Sequence, residues 1–173
     1  MDASITSILQ HINIELPYVW IMITSATFLA GLYFSIRAVM LFREYADLQS
    51  ARSPQADLRK PVIGLLVAVA LLYWPTLMHV SLQTLFDRST PLPYQYPIGG
   101  KPAYALFMQA VGAIVQILGY FSFIRGWILL ARIGQQGSQP GEFSRALVHI
   151  IAGLMAVNIF QTWEILKSVV GFS

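Results

Sequence analysis

RGWILLARIGQQGSQPGEFSRALVHIIAGLMAVN, residues 125–158, contains two apolar runs on either side of a short loop that is rich in glycine and glutamine. Arginines lie at both edges of the loop, at Arg132 and Arg145, and His149 follows Arg145 by one helical turn. This pattern is typical of two membrane helices joined by a short polar turn. Nothing in the stretch has the arrangement of a catalytic site.

The composition of the whole chain indicates an integral membrane protein. Of the 173 residues, 56% are hydrophobic, 11% are charged and none is cysteine. Charged residues make up about a quarter of soluble proteins, and a soluble core of this size could not hide so much apolar surface. We therefore expect one membrane domain over residues 1–173, without disulfides or thiolate metal sites. The net charge of +3 is modest, so no direct nucleic acid binding is expected.

Four apolar segments are long enough to cross a bilayer as helices. Their predicted limits are 18–42, 61–86, 103–130 and 146–170. They pair into two tandem helical hairpins, 18–86 and 104–173, with a proline-rich loop at 87–103 between them. The predicted fold class is therefore all-α, with four transmembrane helices.

Residues 1–17 predict a short additional helix. Apolar residues recur there at three- and four-residue spacing, opposite a polar face, and the segment ends at Pro17. We expect this helix to lie flat in the membrane interface. The alternative is a frayed terminus that packs only on a partner.

The basic residues predict the orientation. Most of them lie in or beside the loop within each hairpin, namely Arg37, Arg43, Arg52, Arg59, Lys60, Arg125, Arg132 and Arg145. The positive-inside rule therefore places both of these loops in the cytoplasm and both termini outside it.

Two features mark the second helix of each hairpin. Trp74-Pro75 removes a backbone hydrogen bond and predicts a kink in the second span. Asn158 lies near the middle of the fourth span, and Gln161 and Glu164 follow it at one-turn spacing. Such a polar stripe either makes hydrogen bonds between packed helices or lines an aqueous path.

The two hairpins also predict an internal repeat. Phe34-Ser35-Ile36-Arg37 matches Ser122-Phe123-Ile124-Arg125, and the spacing from Gly64 to Trp74 matches that from Gly153 to Trp163. Because both copies have the same predicted orientation, the repeat would be parallel.

Candidate site residues are contact residues rather than catalytic ones. Arg37 and Arg125 lie inside their apolar runs, where they either snorkel to phosphates or bind a specific lipid headgroup or partner carboxylate. The predicted contacts with lipid or a partner are made by five residues: Arg37, Arg125, Arg132, Arg145 and His149. Three residues are predicted to pack helices together: Gly126, Gly153 and Asn158. No metal-binding, nucleotide-binding or protease motif is present in the sequence, so neither an enzyme nor a cofactor is expected.

Several stretches of the second hairpin resemble a known group of bacterial proteins. They are Arg125-Gly126-Trp127, Gln135-Gln136-Gly137, His149-Ile150-Ile151-Ala152-Gly153 and Ala156-Val157-Asn158-Ile159. Over about 119–158 the chain resembles the TraQ family of conjugal transfer membrane proteins and the related IcmC/DotE, DotV and IcmD/DotP components of type IVB (Dot/Icm) secretion systems. Of the first hairpin, Arg37 and Gly64 retain the pattern. The resemblance implies a component of the bacterial inner membrane that is needed for conjugative transfer. Together with the orientation expected from the positive-inside rule, this places both termini in the periplasm.

Three functions are compatible with the sequence. The first is a structural or assembly subunit of a conjugation or type IVB secretion machine, which supports transfer of plasmid DNA or protein and packs against itself or other inner-membrane subunits. The second is a pilin-like or channel-wall subunit that forms a symmetric multimer with phospholipids. The third is a small transporter built from parallel repeats with a site near the membrane midplane, where Trp74-Pro75 would supply a broken helix and Asn158 a polar contact.

Overall fold

The computed structural model describes residues 3–91, 102–133 and 141–171, which form six α-helices and no β-strand. The helices are α1 (Ala3–Ser50), α2 (Arg59–Leu72), α3 (Trp74–Phe86), α4 (Pro102–Leu130), α5 (Glu142–Val157) and α6 (Ile159–Val170). The all-α prediction is thus confirmed over the described residues. Most of the predicted loop at 87–103, and the glycine-rich turn at 134–140, lie outside them.

Helix α1 is longer than the sequence pattern predicts. It comprises 48 residues and runs without interruption through Pro17. The prediction of a separate helix over 1–17 is therefore wrong, because these residues belong to the same helix as the first span. An internal proline removes one backbone hydrogen bond and bends a helix, but turns on either side can keep it continuous. The helix also extends to Ser50, where a turn with Arg52 at φ 51° ends it.

Two helical segments, Tyr18–Ser50 and Tyr104–Leu130, are long and apolar enough to cross a membrane. The other two predicted spans are broken: the second span, for which the sequence predicts a kink at Trp74-Pro75, and the fourth, for which it predicts none. Helices α2 and α3 are bent by 88° and α5 and α6 by 97°, each at a single intervening residue. The chain therefore has two helices that could cross a membrane, or up to four if each bent pair is one span.

Length limits what the short helices can do alone. The longest of them, α5, has 16 residues and rises about 24 Å, whereas the hydrocarbon core of a bilayer is about 30 Å thick. Neither helix of a bent pair is therefore long enough to cross a bilayer alone, and only the pair as a unit has the length of a span.

The described chain forms two compact units. The first unit is Met1–Ile23, Met78–Ser122 and Ala152–Ser173, and the second is Thr24–Leu77 and Phe123–Ile151. Each unit therefore contains parts of both predicted hairpins.

The first unit has its own core. Its buried apolar side chains come from α1, α3, α4 and α5, and they are Ile23, Met78, Leu82, Phe86, Ala110, Ala113, Leu154 and Val157. Asn158 is buried among the same elements and is fully inaccessible. The core of this unit thus includes a polar side chain that must find hydrogen-bond partners.

The second unit packs around Val67, Leu71 and Ala131. Trp127 is partly buried against this cluster, together with residues of α1, α2 and α4. The ring of Phe123 lies 5.9 Å from Trp74 and 6.3 Å from Trp127 between centroids, within the range of favourable aromatic pairs. Aromatic and aliphatic packing therefore dominates this unit.

Candidate functional site: the helix break at Asn158

Asn158 separates α5 from α6. Its backbone has φ −111° and ψ 48°, which is not helical. Its N–H still donates to the carbonyl oxygen of Leu154 at 3.2 Å, and its own carbonyl accepts from the N–H of Thr162 at 2.9 Å. Asn158 therefore completes the last turn of α5 and begins the first turn of α6.

The side chains around the break satisfy the groups that it exposes. The hydroxyl of Thr162 donates to the carbonyl oxygen of Met155 at 2.9 Å. This carbonyl lies in the last turn of α5, where the helix itself supplies no partner. A side chain from the next helix thus replaces the missing backbone donor.

A chain of two hydrogen bonds leads from the break to the end of α3. Asn158 Nδ2 donates to Gln161 Oε1 at 2.8 Å, and Gln161 Nε2 donates to the carbonyl oxygen of Phe86 at 2.9 Å. Phe86 is the last residue of α3, so its carbonyl also lacks a partner within its own helix. The amides of Asn158 and Gln161 therefore tie the ends of helices from both bent pairs together.

The break at Tyr73 is built differently. Tyr73 donates to the carbonyl oxygen of Val69 and accepts from Leu77, each at 2.9 Å, and its side chain is exposed. Pro75 is the second residue of α3, where a missing N–H costs little. This break follows from proline, whereas no proline lies near the break at Asn158.

At each break, a glycine of a long helix lies close to the last residue before the break. A Cβ built on Gly31 would lie 2.9 Å from the backbone nitrogen of Leu72, the last residue of α2. A Cβ on Gly119 would lie 2.6 Å from the backbone nitrogen of Val157, the last residue of α5. In each hairpin the long helix therefore packs by a glycine against the residue before the break.

These contacts support the predicted repeat and correct its register. Gly31 and Gly119 are 88 residues apart, as are Arg37 and Arg125. The breaks at Tyr73 and Asn158 are 85 residues apart, whereas the predicted pairing of Gly64 with Gly153 requires 89. The long helices therefore match in the predicted register, and the short helices match about one turn away from it.

The predicted contact residues lie at different degrees of exposure. Arg125, Arg132 and Arg145 are exposed, and Arg37 and His149 are half-buried. The contact of these five residues with lipid or a partner stays a prediction.

The predicted helix-packing residues, Gly126, Gly153 and Asn158, are all buried. A Cβ on Gly126 would lie 2.9 Å from the carbonyl oxygen of Ala146, and one on Gly119 would lie 2.8 Å from that of Gly153. Gly126 and Gly153 therefore both lie where α4 and α5 pack closely together.

Two parts of the site go beyond the sequence prediction. The sequence shows Gln161 only as a member of a polar stripe, and its carbonyl partner at Phe86, 75 residues away, has no local signal. The prediction does not include Thr162, although its hydroxyl lies one turn after Asn158, and hydroxyl side chains can bond backbone carbonyls in place of helix donors. Among the described residues, no group of three or more His, Cys, Asp and Glu could hold a metal ion.

Comparison with protein families, curated proteins and solved structures finds no match to this chain.

Proposed function

We propose that the chain is a structural subunit of a bacterial conjugation or type IVB secretion machine, embedded in the inner membrane. The observation that carries this proposal is the small covered fraction of its long helices. Only 17% of the apolar segment in α1 and 28% of that in α4 is buried within the chain. We infer that lipid or other membrane subunits cover the remainder, because a large apolar surface would otherwise be exposed to water.

The type of machine is inferred from the resemblance of the second hairpin to TraQ-like proteins. The closely packed positions support a scaffold role within this proposal. Gly119 and Gly126 bring neighbouring helix backbones together, as small residues do in membrane proteins. The hydrogen-bonded amides of Asn158 and Gln161 also serve packing, since their bonds stay within the chain.

Cysteine crosslinking tests the proposal directly, because the chain contains no cysteine of its own. Leu118→Cys places a thiol on an exposed face of α4, and Ala113→Cys on the same helix is a buried control. In membranes of transfer-competent cells, we expect oxidation to give multimers or adducts with other subunits for the first variant and none for the second. A chain that stays monomeric and is dispensable for plasmid transfer would refute the proposal.

A small transporter is the second candidate, and the two broken helices favour it. Transporters with repeats use broken helices to direct backbone groups at a substrate or ion. The carbonyls of Leu154 and Met155 beside Asn158 already accept hydrogen bonds, which favours the structural role. Sodium flux into proteoliposomes, above that of protein-free vesicles and lost in Asn158→Ala, would support the transporter instead.

A further inference from the structure

A cavity of about 230 Å³ lies in the first unit, outside the hydrogen-bonded site at Asn158. Its apolar wall is formed by Met78 and Leu82 of α3, which are both almost fully buried, and by Pro91. Trp20 and Tyr120 form an aromatic wall, with ring centroids 4.8 Å apart in an edge-to-face arrangement. The cavity therefore combines an aliphatic floor with amphipathic aromatic rings.

The polar part of the wall comes from His79 and Ser89. Both side chains are exposed, and neither makes a hydrogen bond to another residue in the described part of the chain. An imidazole N–H and a hydroxyl can both donate to an oxygen-rich ligand. Among the described residues that line the cavity there is no Asp, Glu, Lys or Arg, so this described part of the wall carries no fixed charge.

From these features we propose that the cavity binds the headgroup region of a net-neutral phospholipid. This inference rests on the proposed membrane location of the chain. Phosphate ester oxygens accept hydrogen bonds from His79 and Ser89, and the first apolar carbons of the lipid contact Met78 and Leu82. Trp and Tyr are the residues that membrane proteins place at the level of lipid headgroups.

The volume of the cavity and the charge of its lining residues restrict the class of ligand further. At about 30 Å³ for each water-sized group, the cavity holds roughly eight such groups, which suits a phosphate and its glycerol carbons but not a whole lipid. The described lining residues offer no charge to compensate a ligand with net negative charge, so a zwitterionic headgroup such as phosphoethanolamine is favoured. Free phosphate lacks the apolar part that the floor of the cavity would contact.

Native mass spectrometry of the full chain in detergent tests this site. After delipidation, short-chain phosphatidylethanolamine, phosphatidylglycerol or inorganic phosphate is added separately. We expect retention of about one phosphatidylethanolamine per chain and at least a tenfold lower retention of the other two probes. Equal retention of phosphatidylglycerol, or binding of inorganic phosphate, would overturn the assignment of a neutral lipid.

Two pairs of variants locate the binding. Leu82→Trp fills the cavity, and Leu85→Trp adds the same bulk at an exposed position of the same helix. The double change His79→Ala with Ser89→Ala removes the donors from exposed positions and leaves the buried core intact. We expect loss of the retained lipid with Leu82→Trp and with the double variant but not with Leu85→Trp.

Retention of lipid in all of these variants would refute the site. The crosslinking at Leu118 is measured in the same variants, so that the two proposals can fail separately. Lost lipid retention with preserved crosslinks supports the cavity as the lipid site. Preserved retention with preserved crosslinks refutes the site and leaves the proposed assembly role in place.

Discussion

The side-chain amide of Gln161 donates a hydrogen bond to the main-chain carbonyl oxygen of Phe86, with the nitrogen and oxygen 2.9 Å apart. Asn158 holds Gln161 in place through a second bond of 2.8 Å. Phe86 ends α3, and Asn158 immediately precedes α6. The polar residues of an otherwise apolar chain are therefore used to satisfy backbone groups that two helix ends leave open.

We predict that Gln161→Met destabilises the protein by about 1–3 kcal/mol, because methionine keeps the length of the side chain but leaves the Phe86 carbonyl without its donor. The free energy of unfolding in mixed micelles, measured by titration with a denaturing detergent, gives the value. Gln83→Met is the matched control, since Gln83 makes an exposed hydrogen bond of 3.3 Å to Asp87. We expect that change to stay within about 0.5 kcal/mol of the parent protein. Equal effects of the two substitutions would contradict the role of Gln161.

Gly119→Ala is predicted to be much more harmful than Gly64→Ala. The added methyl at Gly119 meets the backbone of Val157 and Gly153 within 2.8 Å, and backbone atoms cannot move aside as a side-chain tip can. Its overpacking should cost about 1–3 kcal/mol. The methyl at Gly64 meets Ala38 at an ordinary 3.6 Å, so the better helix propensity of alanine should stabilise that variant by up to about 1 kcal/mol.

The same unfolding titration compares the two glycine variants. The sign of the difference is the decisive observation, since both substitutions add one methyl group inside a helix. A Gly119→Ala protein as stable as Gly64→Ala would show that the helices of this hairpin pack less closely than described.

The sequence predicts α4 and the apolar part of α1, but not the full length of α1, and it indicates only one of the two breaks. Pro75 identifies a disturbance close to Tyr73 because proline cannot donate to the preceding turn. At Asn158 no such residue is present, and the break depends on Thr162 and Gln161 reaching groups that are exposed only once the helices have packed. A single polar residue in an apolar run cannot by itself distinguish a break from an interhelical hydrogen bond.

The repeat is also only partly predictable. The motif ending at Arg37 and Arg125 gives the correct register for the long helices, where Gly31 and Gly119 make equivalent contacts. In the short helices, the match of Gly64 to Gly153 is misleading, because glycine is frequent in such helices for several different packing reasons. The break positions require three-dimensional contacts and so correct the register by one turn.

Trp127→Phe is predicted to leave stability unchanged within about 1 kcal/mol, although Trp127 packs against the core of the second unit. The indole Nε1 is buried and has no hydrogen-bond partner among the described residues. Removing this donor offsets the loss of aromatic contact area.

Trp127→Ala removes the packing as well and should cost about 3–5 kcal/mol. Thermal unfolding in detergent compares the variants, and a large loss with phenylalanine would reveal a partner for the indole.

Labelling of single cysteines decides whether the bent pair α2 and α3 crosses the membrane. Gln55→Cys and Thr90→Cys lie on either side of the bent pair α2 and α3, and both positions are exposed. If the pair crosses the bilayer as one broken span, the positive-inside rule predicts that a membrane-impermeant maleimide reaches Thr90→Cys in intact spheroplasts and Gln55→Cys only after lysis. If both react from the same side, α2 and α3 form a re-entrant element, which is possible only where protein covers the irregular backbone at Tyr73. The parent chain has no cysteine, so it provides the unlabelled control. Because neither α2 nor α3 is long enough to cross alone, these two outcomes separate the two possible paths of the pair.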